Sequence, residues 1–222
     1  MVTYDRGDLA FLPIRPNDDF AKRLAAHFNI RDPDDLVVNT RFSNGEYCPT
    51  ITDVLQRNKT GPKRLEGRRA CIVTSYTSEV NNTESLARIL LLSDAAYRAG
   101  ATEVYLAMAE SLFDRQDMDP NLMFDDSYET FSGGKKRKLE KLQGQPHSLE
   151  VTIRLFQAAG IKKVLTLDRH SEASEKIYGE IYRCDPKNVF FNLDPVPIFI
   201  NYLLRSGING GKKGENLVIL AP

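Results

Sequence analysis

The sequence predicts an α/β protein with a parallel, doubly wound sheet and a short β-hairpin. Apolar runs of strand length alternate along the 222 residues with segments of helical period. Several of these runs are apolar nearly throughout, which is typical of strands covered by helices on both faces. Alternation of strand and helix favours parallel strands, and the right-handed crossover rule limits the topology to a few doubly wound forms.

Strands are predicted where apolar and β-branched residues cluster, namely at 9–14, 36–40, 70–76, 103–109, 163–168 and 216–221. Helices are predicted between them from their caps and apolar stripes, at 17–29, 82–100, 148–160 and 195–207. Gly100 and Gly160 supply natural helix ends. Because ligands of such sheets bind at the carboxyl ends of the strands, residues directly after strands are the main functional candidates.

Charge and composition narrow the class of protein. Thirty basic and thirty acidic residues cancel, which argues against a dedicated binder of nucleic acid or of anionic membranes. The three cysteines form no CxxC pair, and the N-terminus has no signal-peptide pattern. No apolar run approaches the roughly 20 residues that span a bilayer. We expect a cytoplasmic protein with reduced thiols and with neither nucleic acid nor membrane as a partner.

Two stretches interrupt the alternation. Residues 56–69 are polar and basic and are predicted to form a solvated loop. Residues 117–145 are long for a loop inside a compact domain, so we predict an inserted loop at about 118–145. It is an active-site flap, an insertion or a locally disordered segment. Its basic core, 133–141, is interpreted as a mobile flap, with a nucleic-acid patch as the alternative.

The first functional candidates follow the strand at 103–109. Arg115 offers a fixed fork of donors that suits phosphate oxygens, Gln116 an amide and Asp117 a carboxylate. The alternative is a surface ion pair between Arg115 and Asp117 that binds no ligand.

The second candidates follow the strand at 163–168. Asp168 and His170 lie two residues apart, so they point to the same side of an extended chain. An imidazole and a carboxylate there suit a divalent metal that is bound to phosphate. Alternatively, His170 caps the next helix and Asp168 accepts backbone donors. The chain has no P-loop, GxGxxG, GxSxG or HExxH motif, so covalent catalysis and a standard P-loop are unsupported.

The third candidates lie in the stretch RFSNGEY at 41–47, between two short runs of β-formers. Phe42 suits contact with a flat ring, and Asn44 and Glu46 suit hydrogen bonding to its edge. The stretch is therefore either a plain hairpin turn or the wall of a pocket for a heterocyclic base.

Taken in order, these motifs resemble a known family. The matching segments are RFSNGE at 41–46, residues 71–109, RQD at 115–117, and residues 158–172 and 192–203. Their order and spacing are similar to the N-terminal part of a ribose-phosphate pyrophosphokinase, also called phosphoribosyl pyrophosphate synthetase. The resemblance implies a fold of the type I phosphoribosyltransferase-like kind. It also implies Mg²⁺-dependent transfer of the diphosphoryl group of ATP to ribose 5-phosphate, by a homo-oligomer.

The resemblance also implies roles for the candidate residues. Phe42 would stack on adenine while Asn44 and Glu46 bind its edge, with the hairpin reaching into a neighbouring subunit. The nucleotide would lie against Arg115, Gln116 and Asp117, and magnesium would be bound by His170 and Asp168.

The sequence departs from the family in two places. Arg169 stands where the family has leucine, and the insertion replaces a short basic segment, so residues 135–138 are candidate stand-ins for the family's lysines. The family's second domain is absent from this chain, so we expect 1–222 to be an ATP-binding domain without catalytic residues of its own, inactive alone. A catalytically silent regulatory paralogue and a base phosphoribosyltransferase are the alternatives.

Overall fold

A computed structural model describes residues 8–30, 33, 36–51, 65–75, 80–167 and 169–206 of the chain. Its main sheet is wholly parallel, with strand order β1-β4-β5-β6-β7. The strands are β1 Leu9–Pro13, β4 Arg69–Thr74, β5 Glu103–Met108, β6 Ile161–Thr166 and β7 Phe190–Asn192. A separate antiparallel hairpin consists of β2 Val37–Arg41 and β3 Tyr47–Ile51. The predicted fold class is confirmed. The predicted strand at 216–221 and most of the predicted loop at 56–69 lie outside the described residues.

Six α-helices accompany these strands in the described part of the chain: α1 Asp19–His27, α2 Asn82–Arg98, α3 Gly133–Leu142, α4 Ser148–Ala158, α5 Ala173–Tyr182 and α6 Val196–Arg205. Side-chain caps explain where two of these helices, α1 and α2, begin. The Asp18 side chain accepts a hydrogen bond from the backbone N–H of Ala21, and the Asn81 side chain accepts one from Glu84. The predicted helices correspond to α1, α2, α4 and α6.

Both faces of the sheet are covered by helices. On one face, α2, α4 and α5 pack on alternate residues of the strands, such as Val104 and Leu106 of β5, to form the larger core. On the other face, α1 covers Phe11 of β1 and Cys71 of β4. Burial raises the pKa of the Cys71 thiol to about 12, so this cysteine is a packing residue rather than a reactive thiol.

The segment predicted as an irregular insertion is largely helical. Residues 120–124 and 126–130 form short 3-10 helices, and α3 follows them. Leu139 of α3 is fully buried, and the ammonium group of Lys135 lies 3.4 Å from the ring centroid of Phe131. The basic residues of this segment therefore belong to a packed helix.

Helix α6 differs from the other helices because it has no buried residue. Its apolar side chains are half exposed or more, namely those of Val196, Ile198, Phe199, Ile200, Tyr202 and Leu204. No helix within the described ranges combines the length and the apolar character needed to cross a bilayer.

Candidate functional site

The candidate site lies at the carboxyl edge of the parallel sheet. Strands β5 and β6 are neighbours, and their ends meet in register at Met108 and Thr166. Since both strands run in the same direction, the segments that follow them emerge side by side. The structure thus brings together the residues that the sequence placed after each strand.

A cavity of about 570 Å³ separates these two segments, and we call it the β5–β6 cavity. Its size is in the range of small-molecule sites. The polar and charged residues that line it include Glu110, Asp114, Arg115, Gln116, Arg169 and His170. Three of the eight predicted site residues, Arg115, Gln116 and His170, therefore share one cavity.

Arg115 is exposed, and it forms no ion pair with Asp117 within the described part of the chain. Asp117 lies instead on a different cavity, of about 790 Å³, which we call the helix-lined cavity because α3, α4 and α5 contribute to it. Lys135 of the inserted segment also lines that cavity. Asp117 and Lys135 therefore line one cavity, and Arg115 lines the other.

Gln116 is held by the beginning of α4. Its side-chain oxygen accepts a hydrogen bond from the Ser148 hydroxyl, and its backbone oxygen accepts one from the Leu149 N–H at 3.4 Å. Its amide nitrogen donates to the Gln145 side chain at 3.4 Å. The position of Gln116 is therefore fixed by the protein rather than left to a ligand.

The segment after β6 is tied down at two points. The backbone N–H of His170 donates to the Asp114 carboxylate at 2.7 Å, and the guanidinium of Arg169 pairs with Glu175 of α5. Because the backbone of His170 makes the bond, its imidazole remains on the wall of the β5–β6 cavity. Arg169, the departure from the family pattern, has its charge offset by Glu175.

The hairpin turn is closed by its own hydrogen bonds. The Phe42 N–H donates to the Glu46 carbonyl at 2.9 Å, and the Gly45 N–H donates to the Phe42 carbonyl at 2.9 Å. Gly45 has φ of +89°, a conformation that glycine adopts without a steric penalty. The Glu46 N–H donates to the Asn44 side-chain oxygen at 3.1 Å. The turn presents the Phe42 ring, which is 52% exposed.

Charged residues attach the hairpin to α2. Arg41, at the end of β2, pairs with Glu84, and Glu84 accepts a second hydrogen bond from Arg88 at 2.7 Å. The Arg88 guanidinium lies 4.8 Å from the ring centroid of Tyr47, and burial raises the pKa of Tyr47 to about 12. Hydrogen bonding from Arg88, reinforced by the charge of Arg41, holds the pKa of Glu84 below its usual value.

Comparison with known proteins finds relatives of low sequence identity. The chain is 24% identical over 221 residues to ribose-phosphate pyrophosphokinase 1 of Streptococcus pyogenes, from both serotype M3 and serotype M1. The match covers 97% of this chain and 52% of each relative. The chain resembles the ribose-phosphate pyrophosphokinases. It spans about half the length of these relatives and fits their N-terminal portion.

A solved structure supports the fold. The phosphoribosylpyrophosphate synthetase from Mycobacterium smegmatis superposes with a TM-score of 0.63 at 14% identity, over 89% of this chain and 52% of that chain. No protein-family profile matches the chain. The resemblance to ribose-phosphate pyrophosphokinases therefore rests on low-identity sequence similarity over nearly the whole of this chain and on a shared architecture.

The motifs on which the predicted resemblance depends fall in two places. RQD contributes Arg115 and Gln116 to the β5–β6 cavity, while Phe42, Asn44 and Glu46 are not among the described residues that line it. Asn82, at the start of α2, does line the cavity, and Glu84 of the same helix turn holds the hairpin. The hairpin therefore adjoins the helix that borders the cavity without forming its wall.

A protein site for magnesium needs several donor atoms close together. Within the described ranges, no group of three or more His, Cys, Asp or Glu side chains is placed to hold a metal. Asp168, predicted as a ligand with His170, lies outside the described residues. His170 and Glu110 line the β5–β6 cavity. They fit Mg²⁺ that is bound mainly through substrate phosphates, because this ion keeps several waters and takes few protein ligands.

Proposed function

We propose that the chain is the ATP-binding half of a ribose-phosphate diphosphokinase. The intact enzyme would transfer the diphosphoryl group of ATP to ribose 5-phosphate, in the cytoplasm, to supply phosphoribosyl pyrophosphate for nucleotide biosynthesis. The observation that carries this proposal is the meeting of Arg115, Gln116 and His170 at one cavity on the carboxyl edge of the sheet. Those residues come from two motifs that lie more than fifty positions apart in the sequence.

The chemistry of the cavity suits phosphate binding. Arg115 is exposed and unpaired in the described part of the chain, so its donor fork is available to a phosphate group. Arg169 lies on the same wall, although its charge is offset by Glu175. Diphosphoryl transfer needs charge neutralisation and in-line positioning rather than a protein nucleophile. Mg²⁺, when bound with the phosphates, would supply further neutralisation, with His170 and Asp168 as its proposed ligands.

The adenine would be bound by the hairpin. The Phe42 ring is exposed at the tip of a closed turn, which suits stacking on a flat base. Because the Asn44 oxygen is occupied by the turn, its amide group would act as a donor to the base. Since the hairpin does not line the β5–β6 cavity of its own chain, we propose that it serves a neighbouring copy in a homo-oligomer. Asp117 would complete the binding of the nucleotide in the assembled enzyme.

Calorimetric titration with Mg-ATP tests this proposal. In the Arg115→Met variant we expect affinity to fall by about tenfold to a hundredfold, since a hydrogen bond to a charged group contributes about 1.5–3 kcal/mol. Arg98→Met is the matched control, because Arg98 is an exposed arginine on α2 whose one ion pair within the described ranges is with Asp94. Equal affinity of the wild type and Arg115→Met for Mg-ATP, or no binding at all, would contradict the proposal.

A catalytically silent regulatory subunit of the same enzyme is the second candidate. The ion pair of Arg169 with Glu175 beside the proposed metal site, and the packed helix in the insertion, favour it. The two candidates differ in the intact protein. Formation of phosphoribosyl pyrophosphate from ATP and ribose 5-phosphate supports the enzyme, whereas Mg-ATP binding without turnover supports the regulatory subunit.

A further inference from the structure

A buried carboxylate joins the two segments that border the β5–β6 cavity. Asp114 is 3% exposed, and both of its oxygens accept hydrogen bonds. One oxygen accepts from the backbone N–H of His170 at 2.7 Å, and the other accepts from the hydroxyl of Ser174 at 2.6 Å. Ser174 is itself fully buried in the first turn of α5. A single side chain therefore links the segment after β5 with the segment after β6.

The local backbone directs this side chain inward. Phe113 has φ of +57°, a left-handed conformation that is uncommon for an aromatic residue. Its ring packs against the larger core, which helps to hold the backbone in that conformation. After this turn of the chain Asp114 is buried, while Arg115 is exposed at the cavity. Asp114 therefore anchors the segment, while its neighbour Arg115 faces solvent.

The bond to His170 leaves the imidazole available. Asp114 binds the backbone of His170 rather than its ring, so the bond fixes the backbone at this residue without using either ring nitrogen. Hydrogen bonds to an ionised carboxylate are stronger than neutral ones, and those of Asp114 are short. The paired bonds also satisfy a charge that would be costly to bury alone.

We infer that Asp114 is a positioning residue, which holds the Arg169–His170 segment in register with Arg115 across the β5–β6 cavity. The inference rests on the proposed function, in that the ligand so positioned is the phosphate chain of Mg-ATP. Asp114 borders the cavity but is only 3% exposed, and each of its oxygens accepts a hydrogen bond from the protein, so we assign it to holding the segment rather than to binding the ligand. Sequence reasoning gave this residue no role.

Two measurements on the same variants test the inference. The first is the hydrogen-exchange rate of the His170 amide, followed by NMR without nucleotide, and the second is the calorimetric affinity for Mg-ATP. In Asp114→Ala we expect exchange to be about tenfold faster or more, and affinity to fall about tenfold. Asp114→Asn should retain most of the protection of the His170 amide and most of the affinity for Mg-ATP. Its amide oxygen can accept from His170 while its amide N–H donates to Ser174.

If Asp114→Ala does not fold, the variant Ser174→Ala still tests the inference. This variant removes one of the two anchoring bonds without touching the cavity wall, so the His170 amide should exchange about threefold faster. Thermal unfolding of every variant separates a local effect from global destabilisation. Unchanged exchange at His170 in both Asp114→Ala and Ser174→Ala would overturn the inference.

The outcomes also separate this inference from the proposed function. Failure of wild-type protein to bind Mg-ATP rejects the proposed function, and the inference then stands or falls on the exchange rate of His170. If the wild type binds, faster exchange with unchanged affinity in Asp114→Ala overturns the positioning role. A loss of affinity in Asp114→Ala that Asp114→Asn restores supports it.

Discussion

Arg88 is expected to be a main stabilising residue where α2 meets the end of β1 and the hairpin. It is 9% exposed and donates to the Ile14 carbonyl at 2.9 Å and to Glu84 at 2.7 Å. Its guanidinium also lies over the ring of Tyr47 in β3. Arg88→Met removes these contacts and keeps most of the apolar stem, so the loss measures the polar contacts alone.

The size of the effect follows from these contacts. The Ile14 carbonyl belongs to a residue that is 2% exposed, and leaving it without a donor costs about 1–3 kcal/mol. Glu84 is 28% exposed, so water offsets part of its loss and the cost is about 1 kcal/mol. Losing the contact with the Tyr47 ring adds about 0.5–1 kcal/mol. We expect about 2.5–5 kcal/mol in total, or a melting temperature about 5–20 °C lower for a chain of this size.

Urea unfolding and thermal unfolding, both followed by far-UV circular dichroism, measure this loss. Arg98→Met is the matched control, since Arg98 lies on the same helix and pairs with Asp94 at the same four-residue spacing, but on the surface. Exposed pairs contribute little, so the control should unfold like the wild type. A loss below about 1 kcal/mol for Arg88→Met, or equal losses in both variants, would refute the reasoning.

Three further predictions follow. The double variant Asn44→Ala, Glu46→Ala should bind Mg-ATP more weakly than wild type in calorimetry, while the loss of the exposed turn bond from Asn44 lowers the melting temperature only slightly, and equal binding would place the base elsewhere. The pKa of Glu84 is lowered on folding from its usual 4.5, so its pairing contributes stability above about pH 4.5 and loses it as the pH falls through the lowered pKa. The stability difference between wild type and Glu84→Gln should therefore shrink in acid, and a difference independent of pH would argue against the pairing. Because the side chains of α6 are exposed, wild type should self-associate in light scattering and Phe199→Ser should do so less. A strictly monomeric wild type would count against this.

The strands were predictable where burial dominates the sequence. β4, β5 and β6 are largely apolar, although Lys162 and Lys163 interrupt β6, and their predicted positions agree with the structure to within two residues. Tyr76 and Asp168, at the predicted ends of β4 and β6, lie outside the described residues. β7 was missed because it has only three residues, fewer than the usual strand. A helix was expected to follow His170, and α5 begins there, but no bounds were predicted for it. Ile177, Tyr178 and Ile181 form a buried stripe at helical spacing, a signal that could have given its extent.

The exposed residues of the candidate site were predictable from the sequence. The residues that hold the site and the hairpin in place were not. Arg115 and His170 follow strands, so the rule for parallel sheets brings them together. Asp114 bonds to partners 56 and 60 positions away, and Glu84 bonds to Arg41 at a distance of 43 positions. Such contacts leave no local pattern in the sequence. The helix of the insertion did have a local signal, because the Ser132 side chain caps its start, but Leu139 is its only buried residue and so no apolar stripe marks it.

A crystal structure of the chain with Mg²⁺ and a non-hydrolysable ATP analogue tests the central claim most directly. The account predicts phosphate oxygens within hydrogen-bonding distance of Arg115 and beside His170, in the β5–β6 cavity. It also predicts the adenine against Phe42 of a neighbouring copy. Phosphates bound in the helix-lined cavity, or an adenine with no aromatic contact from any copy, would contradict it.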